Sequence, residues 1–140
     1  MAESIVDQAE RVARMRSTLY LLMAALLIGT ALLGLDDVER LDRLLVWLVM
    51  VVLFALNLTP FGGWLRPKRV VALLNDEGTR EHRRNSFATG FWTALASAAI
   101  VGVVAAHQPL SGVVVARVII TAALAAALIS FGVQERRAAA

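Results

Sequence analysis

Apolar residues in this chain fall in four long runs separated by charged stretches. A helix of about 20 apolar residues crosses the roughly 30 Å hydrocarbon layer of a bilayer. The runs at 18–35, 44–65, 87–106 and 110–133 are of about that length, and only the last holds a charged residue, Arg117. A segment that crosses lipid alone must satisfy its own backbone, which makes each run a helix. The chain therefore reads as an all-α membrane protein, a single transmembrane domain over residues 1–140 with four transmembrane helices. The outer connections, 36–43 and 107–112, are short. Short connections force antiparallel neighbours and predict two antiparallel hairpins, spans one-two and three-four. The first run is longer than a signal-peptide core, and Glu3, Asp7 and Glu10 stand before it, so it is predicted to stay as a span.

The polar segments set an orientation. Of the fourteen Lys and Arg, eleven fall in segments 1–17, 66–86 and 134–140, and only Arg40, Arg43 and Arg117 fall on the other side. Basic residues collect in cytoplasmic segments, so both termini and the central loop are expected in the cytoplasm of a bacterial inner membrane. In the leader, Ile5, Val6, Ala9, Val12 and Ala13 share one face of a predicted amphipathic N-terminal helix, with Ser4 placed to cap it. Two readings fit this helix: it lies in the headgroup layer before turning into the span, or it docks a cytoplasmic partner. In the central loop, Asn75 can cap a helix whose first turn carries Asp76 and Glu77. That helix is predicted to run through Asn85 and Ser86 into span three, as a cytoplasmic helical extension.

Composition narrows the function. Hydrophobic residues are 59% and charged residues 18% of the chain, against about 45–50% and about 25% in soluble domains. Soluble enzymes and nucleic-acid modules are poor fits, and with a formal net charge of only +3 no direct nucleic-acid partner is expected. There is no cysteine, hence no disulfide or thiolate site. No Asp or Glu falls inside the four runs, which removes the buried carboxylate that proton-coupled carriers use. Around His82, the positions three and four residues earlier are Thr79 and Gly78, so no helical ligand pair forms. With two His and no Cys, neither a metal site nor a nucleophile–base pair is expected. The protein reads as a non-enzyme without cofactor. The charged face formed by Asp76, Glu77, Arg80, His82, Arg83 and Arg84 reads as solvated helix. Its functional reading is a contact for a protein or for anionic lipid, with His82 as a titratable group.

Packing signals lie within the spans. Gly90, Ala94, Ala98, Gly102 and Ala106 recur every four residues and form a ridge of small side chains. Such ridges let helices approach closely in lipid, either between spans three and four or across a homodimer. Span two is bulky and is expected to face lipid over much of its surface. Arg117 lies inside span four, where an arginine must pair or snorkel. Asp36, Asp37, Glu39 and Asp42 are its expected ion-pair partners. Asn57 is expected to bond across to Thr93, Ser97 or Ser130. Trp47, Trp64 and Trp92 are expected at the membrane interfaces.

The segment from Leu74 carries Leu-Asn-Asp-Glu, then Thr79-Arg80, His82-Arg83 and Gly90-Phe91-Trp92, and the last span closes on Glu135-Arg136-Arg137. This pattern, confined to the second half of the chain, resembles small proteobacterial multi-span membrane proteins with no established activity. Some of their genes accompany small helix-turn-helix regulators, so the resemblance implies a membrane-bound partner or sensor role. The expectation is a non-enzymatic membrane component presenting a charged cytoplasmic face to a protein partner. A small oligomeric transporter or channel is the alternative.

Overall fold

The computed structural model describes residues 5–33, 40–59 and 77–138. They form four α-helices: α1 (Ile5–Leu33), α2 (Leu41–Leu58), α3 (Glu77–His107) and α4 (Gly112–Ala138). Each is long and apolar enough to cross a membrane.

The spans coincide with the apolar runs, but three helices run on into the polar segments. The leader joins the first span in one uninterrupted helix from Ile5, so it does not end before the span begins. Nothing in 5–17 breaks it: the stretch has no Gly or Pro, and Thr18 satisfies its hydroxyl by donating to the Arg14 carbonyl one turn back. The charged stretch from Glu77 is continuous with span three, giving a 31-residue α3. The last helix continues through Glu135, Arg136 and Arg137, where cations suit the negative end of the helix dipole. α2 is the short one, 18 residues between extended backbone at Arg40 and Thr59. It begins three residues before the apolar run and stops at Leu58; residues 60–65 of that run lie outside the described residues.

α4 is the central element. α1 packs along one side of it and α3 along another, whereas α2 touches α1 and α4 only sparingly. The core lies between α1 and α4, around Tyr20, Ala24, Leu128 and Phe131, with Leu58 of α2 added at one end. Tyr20 and Phe131 meet in a tilted pair, with ring centroids 4.6 Å apart and planes at 58°. Two glycines set the helix separations. A β-carbon on Gly132 would stand 3.2 Å from the Ser17 carbonyl oxygen of α1, and one on Gly90 would stand 3.0 Å from the Ala123 carbonyl oxygen of α4. The tightest packing of α1 is thus against α4, not against α2, its neighbour in the chain.

Only part of the small-residue ridge is used inside the chain. Gly90 is buried on α4 and Ala94 is half-buried, while Ala98, Gly102 and Ala106 are exposed. α2 turns Leu45, Val46, Val49, Val52 and Leu53 outward, as its bulk suggests.

Candidate functional site

One face of α4 organises the buried polar chemistry. Arg117, Thr121, Leu128, Phe131 and Glu135 are all buried, at spacings of three, four and seven residues. Arg117 and Glu135 are eighteen residues apart, which at 3.6 residues per turn is five full turns and about 27 Å. The same face therefore carries a cation near one end and an anion near the other.

At the Glu135 end three helices converge on one carboxylate. Glu135 has only 7% of its side chain exposed. Arg16 of α1 reaches it at 3.5 Å, and His82 of α3 reaches its other oxygen at 3.5 Å. The His82 Nδ1 atom is buried and makes no aligned hydrogen bond, so it meets the carboxylate by proximity alone. Arg16 also lies over the Phe131 ring, 5.8 Å from its centroid. Ser17 donates to the Gly132 carbonyl at 2.7 Å, a contact that needs the missing side chain at Gly132. On the α3 side, Gln134 donates to Ser130 Oγ at 2.9 Å, within reach of Ser86. Thr89 lies 3.4 Å from the same Ser130 hydroxyl. Arg83 is half-buried beside this group. A carboxylate shared by an arginine and a histidine on two other helices is a three-way clamp.

At the Arg117 end the partners differ. Arg117 is 2% exposed and stacks over Trp47 of α2, 5.5 Å from the ring. The indole N–H of Trp47 donates to Thr121 Oγ1 at 3.1 Å. Beside them lies an open cavity of about 470 Å³ between α1, α2 and α4, lined by Leu33, Val46 and Met50 together with Thr30, Asp42 and Arg43.

Several expectations change against this geometry. The chain does bury a carboxylate: Glu135 stands just past the last apolar run, on a helix that outlasts that run. Trp47 is 3% exposed and packed inside, because α2 turns it toward Arg117 and Thr121. Trp92 is exposed, and Trp64 lies outside the described residues. The Asn57 amide donates to Leu53 of its own helix instead of crossing to Thr93, Ser97 or Ser130. What crosses is its backbone carbonyl, which accepts from the Tyr20 hydroxyl at 3.0 Å. Of the carboxylates expected to pair with Arg117, Asp42 is exposed and 3.6 Å from Arg40. Asp36, Asp37 and Glu39 lie outside the described residues, as does Asp76. Glu77 opens α3, Arg80 and Arg84 are exposed, and His82 and Arg83 turn inward toward the bundle.

No group of three or more His, Asp or Glu that could hold a metal occurs among the described residues. The fold and this site define a four-span type of helical chain with a buried ion cluster at one end. No family model, no curated protein and no solved structure matches it.

Proposed function

We propose that this chain is a non-enzymatic integral protein of the bacterial inner membrane whose Glu135 end faces the cytoplasm and docks a protein partner. Its spans form two antiparallel hairpins, with both termini inside. The observation that carries the reading is the ion cluster of Arg16, His82 and Glu135. It ties the charged start of α3 to α1 and α4, so that the polar ends of three helices move as one body. Arg11, Arg14, Arg80, Arg84, Arg136 and Arg137 stand exposed on those three ends. A rigid, strongly cationic rim suits a partner with an acidic face, because oriented charge gives specificity and fast encounter. The resemblance to multi-span proteins accompanied by small regulators supports the same reading.

The test is crosslinking and affinity capture of the full chain from native membranes. A stoichiometric partner that is captured by the wild type and lost with Arg80→Glu and Arg84→Glu supports the proposal. A periplasmic carboxyl terminus, shown by a fused topology reporter, overturns the orientation. The second reading, a small oligomeric transporter or channel, gains from the buried Glu135. It predicts ion or solute flux in liposomes that is abolished by Glu135→Gln. Homodimerisation through the exposed Ala98, Gly102 and Ala106 of α3 belongs to either reading.

A further inference from the structure

Arg83 stands apart from the arginines of the exposed rim. It is half-buried, and its Nε is buried without a hydrogen-bond partner among the described residues. A guanidinium held partly out of water needs an anion beside it to offset its lost hydration. The surrounding groups supply little. Arg16 and Arg80 oppose the charge of Arg83, and the carboxylate whose field favours it is Glu135. Both Glu135 oxygens are engaged elsewhere, one with Arg16 and the other with His82. The Tyr20 hydroxyl, also within electrostatic range, donates to the Asn57 carbonyl.

The helix surface next to Arg83 is apolar. Phe87 and Phe91 follow it at one and two turns along α3 and are 48% and 59% exposed. Phe87 opens the third apolar run, so Arg83 stands one turn, about 6 Å, outside that run, where hydrocarbon gives way to headgroups. α3 is also the least enclosed of the four helices, which leaves this flank to lipid. From this juxtaposition we infer that Arg83 holds the phosphate of a phospholipid of net negative charge, whose acyl chain lies along Phe87 and Phe91. Charge selects the headgroup, because a choline would bring a further cation to a place where Arg16 and Arg80 already act on Arg83. The planar fork of a guanidinium suits phosphate oxygens. The two phenyl rings select a lipid over an acidic protein segment, which would have to carry its charge into hydrocarbon to reach them. The site does not rest on the docking reading, since Arg83 is not part of the exposed rim.

The experiment uses the full chain in mild detergent, with native mass spectrometry as the readout. The probes are phosphatidylglycerol, phosphatidylcholine, inorganic phosphate and polyglutamate. One phosphatidylglycerol should be retained per chain, and the other three probes should not be. Arg83→Gln should weaken that retention by about tenfold or more, the loss of one charge-assisted contact. Arg40→Gln, the same change in net charge on α2's flank, should leave it unaltered. Phe91→Ala at an exposed position should weaken it by about threefold, and it decides the matter if Arg83→Gln fails to fold. Equal retention of the two lipids, binding of phosphate or polyglutamate in place of lipid, equal losses in Arg83→Gln and Arg40→Gln, or unchanged retention in folded Arg83→Gln or in Phe91→Ala overturns the proposal.

Discussion

The two ends of α4 solve the same problem differently. Each buries a charge on one helical face, and each stacks an arginine over an aromatic ring, Arg16 over Phe131 and Arg117 over Trp47. At the Glu135 end the burial is shared: α1 brings Arg16 and α3 brings His82 to the carboxylate, and glycine at 132 lets α1 come into contact. At the Arg117 end α2 supplies an aromatic face, but it packs sparingly and leaves a cavity. The first end is closed by electrostatics and close packing together; at the second, α2 brings an aromatic face with little close packing. Burying a charge therefore does not by itself bring helices together; the Glu135 end adds close packing at Gly132, whereas α2 packs only sparingly beside Arg117.

Substitutions can break this contrast. The largest effect is expected from Glu135→Ala, which leaves Arg16 and His82 facing each other without a carboxylate. Removing one partner of a buried ion pair costs about 3–5 kcal/mol, and the partial exposure of Arg16 and His82 places this case near the lower figure. Denaturant titration of the protein in mixed micelles measures it. A loss comparable to that of a surface substitution would show that the clamp carries no stability.

Next comes overpacking. Gly132→Leu drives a side chain into the Ser17 carbonyl and Leu21 of α1 and is expected to cost about 1–3 kcal/mol. At the open end, Arg117→Leu removes the stacking on Trp47, an effect of about 1 kcal/mol. Wholly unchanged stability in that variant would eliminate the expected ion pair between Arg117 and the carboxylates of the 36–42 connection. Trp47→Phe deletes the hydrogen bond to Thr121 at a cost of about 1 kcal/mol by the same titration. The smallest effect belongs to Gly102→Leu, at an exposed position where an added β-carbon meets nothing within 4 Å; its stability should stay within about 0.5 kcal/mol of the parent. If Gly102→Leu shifts the oligomeric state in light scattering while leaving the unfolding midpoint alone, the exposed half of the ridge is an interface between copies.

Much of the fold was legible in the pattern of apolar residues, because length and charge-free composition are what a bilayer demands. The four apolar helices follow from it, while the continuation of α3 from Glu77 follows from the charged first-turn pattern ahead of the third run. The site was less legible. A reading by apolar runs stops at Val133, two residues short of Glu135, although the spacing of Arg117, Thr121, Leu128, Phe131 and Glu135 repeats along one face. Following that face to the end of the helix would have marked Glu135 as buried. That α1 packs against α4 was not legible, since Arg16 lies more than a hundred residues from Glu135 in the chain and no local rule connects them. Asn57 misled for a related reason: its amide had a nearer acceptor on its own helix, the Leu53 carbonyl one turn back.

The brevity of α2 has a mechanical consequence. Its 18 residues, bounded by extended backbone on both sides, amount to about 27 Å of helix, slightly less than the average hydrocarbon thickness of about 30 Å. A segment of that length crosses only when nearly upright, or where the surrounding leaflets thin to meet it. The three longer helices can lean to absorb a thicker membrane, but α2 has no slack. Hydrophobic mismatch in this protein is therefore concentrated on the helix that is least anchored to the others, and bilayer thickness acts first on the gap between α2 and the rest of the bundle.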